Sequence, residues 1–184
     1  MVLPQLQFGP DRWPDYAALP EDDRRELVSG WLVEGEVPTA LHEEIIALLI
    51  YHLLAWSRPL KAGKILASGF KVKVDDRHGF MPDLQFFRAD NPALPLGTDL
   101  AEGHPDLAVE VISPSTGRYD RMVKLQAYAR LGIPEYWIID PTHRELERLL
   151  LVEGAYRVDV FANDTVFEPE TLPGLSIPLA ELWG

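Results

Sequence analysis

The chain has 184 residues, 47% of them hydrophobic and 25% charged, the proportions of a soluble globular protein long enough to bury one real core. Its 17 Lys and Arg against 29 Asp and Glu leave a formal charge of -12, which argues against broad attraction to DNA or anionic lipid but not against a local basic groove. With no cysteine, disulfides, zinc–thiolate sites and cysteine nucleophiles are excluded.

In chain order, Pro4, Pro10, Pro14 and Pro20 predict an arm that packs through Phe8, Trp13 and Tyr16. Glu21 to Ser29 reads as a short helix, and Trp31–Val33 with Glu36–Val37 around Gly35 as a small hairpin. Pro38–Thr39 then opens the longest helix, running to about Ser57, with Leu41, Ile45, Leu48, Leu49 and Leu53 at helical spacing and Thr39 as N-cap. Ile65 to Asp75 and Phe80 to Arg88 read as strands joined by the turn Asp75–Gly79, and 89–104 as a loop. Leu107 to Ile112 is a central strand, followed by the turn Ser113–Gly117 and a helix from about Arg118 to Leu131 that Gly132 stops. Glu135 to Asp140 is a strand, and 144–168 alternates as two or three more, with a turn at Gly154.

A strand–helix–strand unit in the middle implies a crossover between parallel strands, hence an α/β core with a mixed sheet. The chain reads as one domain over 1–184: an N-terminal arm and short helix (1–30), a core (31–141) and a β-rich extension (142–184). No apolar stretch reaches about 18 residues, and the N-terminus lacks a basic region followed by an apolar one. Neither a membrane span nor a signal peptide is expected, and the expected location is the cytoplasm.

Glu110 carries the most information. It interrupts the apolar run Leu107–Ile112, sharing one strand face with Ala108 and Ile112 while Leu107, Val109 and Val111 point the other way. A carboxylate inside a core costs several kcal/mol unless paired, protonated or metal-bound. Lys124 lies on the following helix and Asp83 follows Pro82 at the entry to a preceding strand. Hydrolysis of a phosphodiester needs hard oxygen ligands for Mg²⁺, and a nearby lysine can orient water or offset developing charge. Each residue also has a plainer reading. Asp83 is a turn or strand-cap residue after proline, Glu110 forms a buried ion pair with Lys124 or an arginine, and Lys124 alone is a solvated helix lysine. Tyr128 lies one turn beyond Lys124 on the same helix face, and Arg121 one turn before it, where it could meet a phosphate. Ser113 and Ser115 suit capping of that helix better than chemistry. His42 reads as a cap or core contact, and Glu43 and Glu44 as acids favoured by the helix dipole. His78, His104 and His143 show no zinc spacing, and no G-x-S-x-G, phosphate-binding loop or dinucleotide fingerprint is present.

Pro82–Asp83, Glu102 through Thr116, Asp120–Arg121, Lys124, Tyr128–Ala129 and Gly132 through Pro141 together form a recognisable set, extended more loosely upstream by Glu34–Val37 and His42. The set resembles the restriction-endonuclease-like family of unknown function that is expanded in cyanobacteria, within the PD-(D/E)XK nuclease superfamily. The resemblance is dense from about Pro82 to Pro141 and extends more loosely from Leu32 to the C-terminus. It implies a restriction-endonuclease-like core, a mixed β-sheet flanked by helices, with Asp83 and Glu110 as acids holding Mg²⁺ or Mn²⁺. The superfamily's lysine belongs at position 112, which is Ile112 here; the family takes it from the next helix, as Lys124. An acid from the first long helix often completes such sites, and Glu43 is the candidate. The expected function is Mg²⁺-dependent cleavage of DNA, as a homodimer where both strands are cut. An inactive nuclease fold serving as a binding or regulatory module, and a purely structural Glu110–Lys124 pair, stand as the alternatives.

Overall fold

The computed structural model describes residues 8–20, 22–35, 37–67, 69–95, 103–113 and 120–184. Helix α1 (Trp13–Ala17) precedes a hairpin of β1 (Glu26–Val28) and β2 (Trp31–Val33), and α2 spans Ala40–Leu60. Then come β3 (Gly63–Ala67), β4 (Val72–Asp75), β5 (His78–Phe80), β6 (Leu84–Arg88) and β7 (Leu107–Val111). A π-helical turn, Asp120–Lys124, runs into α3 (Leu125–Leu131), followed by β8 (Glu135–Asp140), β9 (Glu145–Val152) and β10 (Ala155–Ala162). The pair β11 (Val166–Phe167) and β12 (Ile177–Pro178) and a 3₁₀ turn, Leu179–Trp183, complete the order.

The larger sheet has the order β10-β9-β8-β7-β6-β3, and the smaller β2-β1-β5-β4. Only β7 and β8 pair in parallel within the larger sheet, with Glu110 beside Ile138; its other pairs are antiparallel, so the sheet is mixed as expected. Alternation along β7 sends its side chains to two cores. Leu107, Val109 and Val111 join Ile45, Leu49 and Leu53 of α2, while Ala108 and Ile112 join Ala127 and Tyr128 of α3. Leu49 and Leu53 are fully buried, each contributing about 1.5–3 kcal/mol. Among the described residues no helix is long and apolar enough to cross a membrane.

Helix α2 begins as its sequence predicts, with the Thr39 hydroxyl accepting the His42 amide at 3.2 Å. The segment before it differs. Of the expected helix from Glu21 to Ser29, Glu21 lies outside the described residues and 22–29 is not helical: Asp23 accepts the Arg25 amide at 3.0 Å and pairs with its guanidinium, a local bond that competes with helical ones. Glu26–Val28 is then free to pair with Trp31–Val33. The hairpin turn is therefore Ser29–Gly30, not Gly35, and both turn residues have positive φ (52° and 79°), as a tight two-residue turn requires. Val37 lies in no strand, and Glu36 falls outside the described residues.

The stretch expected as one strand from Phe80 to Arg88 is two, because Met81–Pro82–Asp83 carries the chain from the small sheet to the large one. Pro82 has no amide to give a ladder, which suits it to that break. The helix after β7 ends at Gly132 as expected, in the left-handed region at φ 89°, but its first described turn is π-helical. Arg118, where it was expected to start, and the Ser115 cap lie outside the described residues.

Candidate active site

Asp83, Glu110, Lys124, Tyr128 and His42 come together at the junction of the two sheets. Asp83 enters β6, and its Oδ2 accepts the Val111 amide at 2.8 Å. The residue bonded to Asp83 is thus the neighbour of Glu110, which holds the two acids side by side on adjacent strands. The same Oδ2 lies 3.1 Å from His42 Nε2, so the first turn of α2 reaches over the strand ends. The Asp83 and His42 side chains keep 20% and 19% of their exposure, which makes this the open side of the cluster. Oδ1 of Asp83 makes no hydrogen bond among the described residues.

Glu110 is the closed side. Its Oε1 accepts Lys124 Nζ at 2.8 Å and Tyr128 Oη at 2.9 Å. Lys124 and Tyr128 are four residues apart and so share a helix face, and Glu110 projects from β7 onto it. Burial, and then the Glu110 charge, raise the Tyr128 hydroxyl well above its ordinary value, so it stays a neutral donor. The Phe80 ring, centred 6.0 Å from Lys124 Nζ, closes the lysine in.

The remaining candidates stand apart. Glu43 is 63% exposed, with Oε1 3.7 Å from His42 Nδ1, so it borders the cluster through His42. Arg121 points to Asp140 at 3.0 Å and Glu147 at 2.5 Å, tying the π-helical turn to β8 and β9.

Glu26 is a member of the cluster that sequence reasoning missed. Its Oε1 lies 3.1 Å from Lys124 Nζ and also accepts the Met81 amide at 3.1 Å. The available signal was the apolar pair Leu27–Val28 between it and Ser29–Gly30, a strand running into a tight turn. Tyr16 lies nearby, its hydroxyl raised by burial and then by the Glu26 charge.

Among the described residues the cluster sets three carboxylates, Asp83, Glu110 and Glu26, around Lys124 and His42. Among the described residues no three His, Asp or Glu are gathered closely enough to hold a metal ion unaided. The donors therefore do not fit an all-protein cage. They fit Mg²⁺ in its usual enzyme mode, where one or two carboxylates share the ion with water and substrate phosphate. The partly exposed Asp83 beside Glu110 supplies hard oxygens of that kind.

The solved structure of a putative nuclease belonging to DUF820, from Anabaena variabilis, superposes with a TM-score of 0.80 at 17% identity, over 95% of this chain and 98% of that one. At that identity the likeness shows the fold alone, a mixed sheet flanked by helices. No curated protein matches the chain. Residues 13–180 match the family described as Uma2, putative restriction endonuclease, which takes in the arm helix, both sheets and every residue of the cluster, and the chain belongs to that family.

Proposed function

We propose that the chain is a Mg²⁺-dependent endonuclease that hydrolyses DNA phosphodiester bonds, with Asp83 and Glu110 as its metal ligands. The observation that supports this most is the Val111 amide bond to Asp83, which brings an open acid beside the buried one that Lys124 holds. Bound there, Mg²⁺ would supply Lewis-acid polarisation of the phosphate and a more acidic water. Asp83 would orient its carboxylate outward, braced by His42 and the Val111 amide. Lys124 would fix the Glu110 carboxylate and set positive charge beside a phosphate bearing growing negative charge. Tyr128 would hold the same oxygen from the buried side. Two such sites are needed to cut both strands together, so a homodimer belongs to the proposal.

The burial of Lys124 between acids favours a second reading, an inactive nuclease fold that binds a partner without Mg²⁺. Calorimetric titration with Mg²⁺ and Mn²⁺, without and with duplex DNA, separates the two. Saturable binding by wild type that Asp83→Ala with Glu110→Ala abolishes, together with nicking of supercoiled plasmid that chelation stops, is expected. DNA binding that survives Asp83→Ala, with no metal binding in either titration, would leave the second reading.

A further inference from the structure

We infer that Glu26 is a positioning residue of this site, acting through Lys124; its kinetic consequence rests on the nuclease reading above. Lys124 is 7% exposed and lies between two carboxylates from different sheets, Glu110 of β7 at 2.8 Å and Glu26 of β1 at 3.1 Å. A lysine ammonium is a point charge on a flexible four-carbon stem, so a single partner fixes its distance but not its direction. The second carboxylate fixes the direction. Placing another largely buried acid on one lysine also costs desolvation that a simple one-to-one pair avoids. That cost is better explained by a need for orientation than by stability.

The same Glu26 oxygen accepts the Met81 amide at 3.1 Å. Met81 is followed by Pro82 and Asp83, so one atom joins the lysine to the backbone that presents the exposed acid. The small sheet, with Glu26 on β1 and the β5 strand leading to Met81, thus acts as a brace for the reacting end of the large one. Both of the Glu26 contacts described are to donors inside the protein, Lys124 and Met81, and neither is to an acid of the metal pair. The contact to Lys124 is what lets it aim the ammonium.

The test uses the whole chain and Glu26→Gln, which keeps the reach and can still accept the Met81 amide. Glu26→Asp, one methylene shorter with the charge kept, is the second variant should Gln not fold. The Lys124 ammonium resonance, assigned by its loss in Lys124→Gln, is followed by ¹H–¹⁵N NMR. It should shift in the Glu26 variant and not in Glu44→Gln, whose residue is exposed on α2. In cleavage assays kcat should fall about 100-fold, the scale of a misplaced catalytic group, while the Mg²⁺ half-saturation and the KM for DNA stay unchanged. Against a Lys124→Gln background the Glu26 substitution should have no further effect. An equal loss in both backgrounds, or a weakened Mg²⁺ half-saturation with kcat intact, overturns the inference. Should wild type cleave no DNA, the nuclease reading fails and the resonance decides alone: a shift upholds the positioning of Lys124 by Glu26, and an unmoved resonance overturns it.

Discussion

Two buried acids sit on the paired parallel strands, and their surroundings differ. Glu110, on the α3 face, meets an ammonium at 2.8 Å and a neutral phenol, and its neighbour Val111 bonds the partly open Asp83 at the entry to β6. Glu135, at the opposite end of β8, meets neutral donors: Trp137 Nε1 at 2.6 Å and the Thr171 hydroxyl. No cation lies within ion-pair distance of Glu135 among the described residues. Burial raises the Glu135 carboxyl above its ordinary 4.5, and the Thr171 and Trp137 hydrogen bonds only partly offset this. An acid hydrogen-bonded by neutral groups, with Arg148 and Arg88 acting on it only from beyond ion-pair distance, is a latch, here between the sheet and the C-terminal segment that carries Thr171. An acid held by a cation, with a second acid at the surface beside it, is arranged for chemistry. Burial alone would not separate the two, since Glu110 and Glu135 are 4% and 2% exposed.

The largest break in that comparison should come from removing the cation. Lys124→Met leaves Glu110 and Glu26 buried around an apolar side chain, and breaking a buried pair from one side costs about 3–5 kcal/mol. Urea unfolding at neutral pH should show that loss. Adding Glu110→Leu and Glu26→Leu should recover most of it, because a fully apolar replacement removes the stranded charges. A Lys124→Met protein as stable as wild type would refute the ion pair. Removing one hydrogen bond to the same charge is the next step down. Tyr128→Phe should cost about 1.5–3 kcal/mol by the same measurement, the range for a bond to an ionised acceptor.

How much of this was legible in the sequence follows from how each residue announces itself. Glu110 and Lys124 were readable because a charge in an unbroken apolar run has few explanations and the next helix must pack back on that strand. The long helix was readable from its spacing, since Ile45, Leu49 and Leu53 fall on one face. Glu26 was hidden because three strand residues follow a charged, helix-like stretch, and its partners are far along the chain at Met81 and Lys124. The π-helical turn was hidden too. One extra residue in each hydrogen-bonded ring leaves no mark in a five-residue segment. His42 reads locally as a cap or core contact; the short chain of bonds linking it through Asp83 to Val111 depends on α2 crossing the strand ends, which no local pattern encodes.

Glu135 allows a test with the opposite sign. Its folded value lies above its unfolded one, so folding takes up a proton between the two. That stability is fully present below about 4.5 and is lost as pH rises through the folded value. Glu135→Gln removes the titration while its amide can still satisfy Trp137 and Thr171. Wild-type stability, from urea midpoints, should therefore fall across this window relative to the variant, and at neutral pH the variant should equal or exceed wild type. A variant less stable than wild type at neutral pH, or parallel pH profiles, would contradict the latch.

The smallest effect belongs to Arg121, and it is the most direct check on where phosphate-binding charge resides. Its side chain is 36% exposed, against 7% for Lys124, so solvent screens its pairs with Asp140 and Glu147. Arg121→Gln should cost about 1 kcal/mol or less at low salt, and the deficit should shrink in high salt, where the Debye length falls to about 3 Å. The Lys124→Met deficit should hardly change over the same range. If Arg121 instead lay against DNA, its loss would reduce the slope of log affinity against log salt by about one. With both acids already engaging the guanidinium, that slope should stay as in wild type, and the cost should appear only in the stability of the π-helical turn that carries Lys124.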